Sequence, residues 1–198
     1  MDFEQVVRRR RMVRAYDPDR PVPARVRERL LRNAQRAPSA GFAQGAAYVV
    51  LESAADRDRF WAASAGARPA NDWLARMREA PLLITCWCSE GRYRERYAEA
   101  DKSLADPFSA PYWYVDGGMA ALLMLQTATD EGLGACFFGI PPSRVDAVRA
   151  ELGVPPHWLA LGVISVGYRD ESRDPRSTSA ARGRRPADEV VHMGQWGS

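Results

Sequence analysis

Residues 116–131, DGGMAALLMLQTATDE, constrain this chain more than any other stretch. The run contains no proline, has no charge between Asp116 and Asp130, and is followed by Gly132, a residue suited to stop a helix. A helix that is apolar nearly all round has no solvated face. It must therefore lie at the centre of a fold or in an interface between two copies. No apolar run reaches the ~20 residues needed to span a bilayer, and the N-terminal stretch has no signal-like apolar segment. The expectation is a soluble, cytoplasmic protein with no membrane partner.

Shorter signals organise the rest. Asp2, with Gln5 three residues on, resembles a capping box, and Phe3, Val6 and Val7 then recur at helical spacing; continuing that face adds Arg10 and Arg14. Pro23 suits the first turn of a second helix, with Val26, Leu30, Leu31 and Ala34 inward and Pro38 beyond its end. The β-rich run YVVLE follows, and Ser53 and Asn71 are placed to cap two further helices. PLLITCWC reads as a strand buried on both faces, GACFFGI and WLALGVISVGY as two more strands, and SRVDAVRAELG as an amphipathic helix capped by Ser143. Residues 89–114 mix charges with aromatic side chains and fit no period, as a cap over a pocket or a surface-packed loop would. No repeat or linker divides the 198 residues, so one domain is expected.

The segment RRRRMVRAY carries Arg8 to Arg11 and Arg14, but the whole chain has a formal charge of only +3. A local basic run on a balanced surface argues against a nucleic-acid partner, whose binding depends on cumulative charge. Cys86, Cys88 and Cys136 cannot all pair within the chain, and His157 and His192 lack zinc-like spacing to them, so free buried thiols and no metal site are expected. No nucleophile elbow, Walker loop or dinucleotide glycine triplet is present, so the reactive centre of an enzyme built on this chain would come from a bound cofactor. What stands out is a second basic cluster, Arg182, Arg184 and Arg185, far from the first. Two guanidinium groups converging on one phosphate form strong bidentate bonds; two unrelated solvated patches remain the other reading.

RRMVRAY, APSAGFAQGAAYVVLE, YVDGGMAALLMLQTATDEGLGACFFGI and RGRRPADEVVH resemble, in order and spacing, the FMN-dependent nitroreductase family. The resemblance covers nearly the whole chain. It implies an α+β fold with a central mixed β-sheet flanked by helices, in an intertwined homodimer whose segment 172–198 crosses to the partner. It implies FMN as cofactor, NAD(P)H as electron donor and a small-molecule substrate. Arg10, Arg11 and Arg14 match the family's opening FMN-binding motif, and Arg182 and Arg184 its C-terminal phosphate-binding pair. Pro38, Ser39, Ala40 and Gln44 match the loop along the flavin, and Gly139 falls where backbone approaches flavin N5. Residues 89–114, with Phe108, Tyr112 and Trp113, are expected to cap the substrate site.

Three departures stand against the pattern. Met12 occupies a usual serine position, Phe42 replaces a flavin-bonding asparagine and would instead stack on the ring or shape the pocket, and Gly45 and Ala46 replace a common Pro-Trp pair. The implied reaction is ping-pong hydride transfer from NAD(P)H through FMN to a nitroaromatic, quinone or other conjugated acceptor. The changed loop leaves open a specialised flavin enzyme (heterocycle dehydrogenase, deazaflavin reductase or flavin-cleaving enzyme) or a flavin-free structural dimer.

Overall fold

The computed structural model describes residues 1–66, 71–102, 108–175 and 178–197, without the side chains of residues 178 and 180. In chain order the elements are α1 (Phe3–Arg9), α2 (Ala24–Ala34), β1 (Ala46–Leu51), α3 (Ala54–Ala65), α4 (Asp72–Arg78), β2 (Leu82–Cys88), α5 (Glu90–Tyr97), α6 (Tyr112–Asp130), β3 (Gly134–Phe138), α7 (Val145–Glu151) and β4 (Leu159–Gly167). The expected caps are present: Asp2, Ser53 and Asn71 each accept the backbone N–H three residues ahead.

The sheet runs β1-β2-β4-β3 with every strand pair antiparallel. Its mixed character rests on one parallel bridge, Met12 with Ala135, where the segment after α1 lies beside β3. β2 is buried along its whole length because helices cover both faces. Alternation sends Leu82, Ile84 and Cys86 toward α2 and α6, and Leu83 and Trp87 toward α3, α4 and α7. The all-apolar sequence of this strand follows from that sandwich. All three cysteines are free and buried, and among the described residues no helix is long and apolar enough to cross a membrane.

Several local expectations are corrected. α1 stops at Arg9, so Arg10 and Arg14 do not continue its face, and only Val6 of that face is buried; Phe3 is 72% and Val7 48% exposed. The chain leaves the helix because Met12 and Val13 are drawn onto β3, with Val13 N–H donating to Ala135 O at 2.9 Å, while Arg14 and Ala15 bond to Asp174 and Asp170. Residues 90–97, read as aperiodic, form α5 under a Ser89 cap, and α6 begins at Tyr112, one turn before Asp116. Ser143 caps nothing: Pro142–Arg144 form a 3₁₀ turn that leads into α7 without a side-chain cap.

α6 is two-faced in its burial. Ala120, Ala121, Met124, Leu125 and Ala128 enter the core, whereas Val115, Met119 and Leu122 are 41–45% exposed. These three share one helical stripe, and α1, with exposed Phe3 and Val7, packs against this helix.

Candidate functional site

A cavity of about 490 Å³ opens between the end of α2, the loop leading to β1, and the buried start of α6, lined among others by Pro38, Ser39, Gln44, Tyr48, Tyr93 and Asp116. The loop cannot hold its shape through local preference. Gly41, Phe42 and Gln44 all have φ between +52° and +61°, and a non-glycine residue in that region costs roughly 1–3 kcal/mol. The surroundings hold it instead. Gln44 N–H donates to Ser39 Oγ at 3.1 Å, Arg96 Nε donates to Gly41 O at 2.8 Å, and Ala40 N–H donates to Asp116 Oδ2 at 2.7 Å. The same Oδ2 accepts Tyr93 O–H at 2.7 Å.

Tyr93 explains one departure in the loop. A Cβ on Gly45 would lie 2.4 Å from Tyr93 Cε2, so with this tyrosine in place only glycine fits at position 45. Burial, and secondarily the bond to Asp116, push the Tyr93 hydroxyl well above its ordinary pKa, so it remains a hydrogen-bond donor. The Tyr48 hydroxyl is buried with no hydrogen-bond partner among the described residues, and burial raises it likewise.

Phe42 is 73% exposed at the loop's outer turn and stacks on nothing among the described residues. The substrate-side candidates do meet. Phe108 packs edge-to-face with Trp113 (5.8 Å), Tyr112 (6.5 Å) and Tyr97 (5.1 Å), and Trp113 meets Tyr93 at 6.2 Å, which links this cluster to the cavity wall.

The arginines lie elsewhere in the chain. Arg14 donates its backbone N–H to Asp174 (2.8 Å) and its guanidinium to Met12 O (3.2 Å), while Arg11 pairs with Asp174 at 3.0 Å. Asp174, fully covered and also bound by Arg169 at 2.8 Å, thus neutralises part of the cluster. The half-buried Arg10 side chain has no ion pair or hydrogen bond among the described residues. Met12 has a structural role here: its thioether packs between the two cores and accepts Phe137 N–H at 3.4 Å. Gly139 borders a different, smaller cavity of about 130 Å³ with Trp61, Trp73 and Phe138, and a Cβ there would meet nothing within 4 Å. Arg182 and Arg184 are exposed and form no ion pair or hydrogen bond with the described residues, whereas Arg185 pairs with Glu189 at 3.1 Å.

One chain therefore unites Pro38, Ser39 and Gln44 around one cavity, but it brings neither Arg10, Arg11 and Arg14 nor Arg182, Arg184 and Gly139 into that cavity's wall. Sequence reading missed Asp116 and Tyr93 as site residues. A usable signal existed for the first, since a carboxylate on the most apolar helix must find donors once buried; its partners, 76 and 23 residues away, could not be read from spacing.

Residues 7–168 match the sequence model of the nitroreductase family. A protein of Archaeoglobus fulgidus provisionally named NADH dehydrogenase/NAD(P)H nitroreductase is 29% identical over 171 residues, covering 83% of this chain and 84% of its own. Two solved structures share the fold. A nitroreductase family protein from Clostridium difficile has a TM-score of 0.73 at 22% identity, covering 98% of this chain and 99% of its own. A provisionally assigned nitroreductase from Exiguobacterium sibiricum, solved in complex with FMN, has a TM-score of 0.75 at 17% identity and covers 97% of each chain.

Proposed function

The chain belongs to the nitroreductase family, and from that premise we propose that it is an FMN-dependent oxidoreductase whose two sites are completed across a homodimer. The observation that carries this reading is the division of the site within one chain. A cavity of about 490 Å³ has the size of a small-molecule site, yet Arg10, Arg182 and Arg184, which have no partner among the described residues and are suited to a phosphate, lie outside its wall. A second copy brings the two halves together if the exposed stripe of Val115, Met119 and Leu122, with Phe3 and Val7, forms the contact. The exposed apolar residues Val190, Val191 and Trp196 in the tail fit a segment that finishes on a partner.

FMN, when bound, would take a hydride from NAD(P)H and deliver it to a nitroaromatic, quinone or other conjugated acceptor. The chain's own residues bind and orient. Arg10, Arg182 and Arg184 offer guanidinium groups with no competing carboxylate among the described residues, and Arg11 and Arg14 are positioned by Asp174. Ser39, Ala40 and Gln44 present the loop, and open space beside Gly139 allows a planar ligand to approach the backbone. Phe108, Tyr112 and Trp113 offer aromatic surface to the acceptor.

The exposed, left-handed Phe42, together with the glycine that Tyr93 requires at position 45, favours a second reading in which the ring-side wall serves a specialised heterocyclic substrate of the same flavin chemistry. A visible spectrum of the purified protein with cofactor extraction, followed by mixing with NADH and NADPH, tests both. Flavin absorbance bleached by a nicotinamide supports the first reading; a flavin indifferent to both supports the second. Colourless protein that cannot be reconstituted with FMN overturns both.

A further inference from the structure

We infer that Asp116 is the positioning residue of the site: a single carboxylate oxygen ties the strained 39–45 loop to α5 and holds the cavity wall in its binding shape before any ligand arrives. The inference rests on the FMN reading only for what the cavity binds. Oδ2 accepts the Ala40 amide and the Tyr93 hydroxyl, both at 2.7 Å. The first bond secures the residue just before the left-handed stretch, which begins at Gly41, and the second secures the middle of α5. Asp116 stands on α6, whose inner face is embedded in the core, so this anchor does not move with the loop. No lysine, arginine or histidine lines the cavity among the described residues, so hydrogen bonds to these two donors, and not an ion pair, hold the carboxylate.

The remaining loop contacts make α5 and the loop one unit. Arg96 reaches Gly41 O, Ser89 N–H donates to Gly45 O at 2.9 Å, and a Cβ on Gly41 would press on Tyr97 at 2.8 Å. Without Asp116 these contacts would still join loop to helix, but the pair would lose its hydrogen-bonded tie to α6 and keep only the chain ends at β1 and β2 and the ring contact of Tyr93 with Trp113. The left-handed residues would then relax toward ordinary backbone angles. A ligand would have to order the wall as it bound, and its apparent affinity would fall by the fraction of time the wall is formed.

The experiment compares Asp116→Ala, Asp116→Asn and Tyr93→Phe with wild type, by hydrogen exchange of the ligand-free proteins and by FMN titration. Asn keeps an oxygen able to accept both bonds; Phe removes one donor and keeps the ring. Asp116→Ala is expected to speed exchange at Ala40 and through 40–45 and 90–97 by about tenfold or more, to leave β2 and β4 protected, and to weaken FMN binding by a similar factor. Asp116→Asn is expected to restore most of both, and Tyr93→Phe to loosen 90–97 more than Ala40. Wild-type exchange in the loop of Asp116→Ala overturns the inference, as does an Asp116→Asn no better than Ala. If Asp116→Ala loses protection across the sheet, the other two variants decide, and unchanged exchange in Tyr93→Phe overturns it. Wild-type protein that binds no FMN refutes the cofactor reading, while the exchange comparison still decides the role of Asp116.

Discussion

Gly134→Ala tests how the arginine segment is held against the sheet. An ideal Cβ on Gly134 would stand 2.7 Å from Val13 Cγ2 and 2.8 Å from both Val13 Cγ1 and Cβ. Val13 is 2% exposed and β-branched, so its rotamer has little freedom. More decisively, its Cβ moves only with its own backbone, and no side-chain rotation relieves that contact. Residues 12–14 must withdraw from β3, weakening the Val13 N–H to Ala135 O bond of 2.9 Å. Overpacking of this kind costs about 1–3 kcal/mol, and the weakened bond adds about 1. The lower chain entropy of the unfolded alanine variant returns roughly 0.4–1 kcal/mol. The net loss is about 2 kcal/mol, which at roughly 2–4 °C per kcal/mol lowers Tm by about 4–8 °C. Thermal unfolding measures the loss, and hydrogen exchange at the Val13 amide locates it. A Tm within about 1 °C of wild type, with the Val13 amide still protected, would refute the argument that this glycine is what lets the arginine segment dock.

If the chain pairs through the exposed α6 stripe as proposed, Leu122→Glu places a charge in that interface from each copy, and an unpaired buried charge costs several kcal/mol; the expected product is then a folded monomer by light scattering and circular dichroism, with weakened FMN binding, and an unchanged oligomeric state refutes that contact. Replacing Arg182 and Arg184 together by alanine should weaken FMN binding about tenfold or more and leave the ligand-free Tm unchanged, because neither side chain bonds to the described residues. Arg29 clamps α2 to the end of α6 through Asp130 (2.6 Å) and Glu131 (2.5 Å). Asp130 is held below its ordinary value chiefly by the N-terminal ammonium and then by Arg29, and Glu131 chiefly by Arg29. Depressed carboxyls stabilise the fold fully above their unfolded values of 3.8 and 4.5 and lose that contribution as pH falls through the lower folded values. Arg29→Ala should therefore cost a modest amount at pH 7, no more than about 1 kcal/mol per pair, and the gap to wild type in denaturant titrations should close at acid pH.

Local features were legible where local physics decides them. Asp2, Ser53 and Asn71 cap helices because a side-chain oxygen three residues before an orphan N–H needs nothing else. The unbroken apolar run of β2 announced a strand covered on both faces. α5 was hidden because it carries more charge than apolar surface, and what fixes it in place is Tyr93 reaching Asp116, a contact that no periodicity encodes. Arg10 and Arg14 were misplaced because helical phase was extended past Arg9, where the segment that pairs with β3 takes over.

The sequence by itself determined most of the elements, the covering of β2 on both faces and the family. Each depends on neighbours within a few positions or on motifs kept in order. Only the tertiary structure decided which of those residues share a wall. Asp116 with Ala40 and Tyr93, Gly45 beneath Tyr93, Met12 on Phe137 and Asp174 beside Arg11 are contacts between distant segments. Their geometry follows from how helices and sheet pack, and packing is a property of the whole chain.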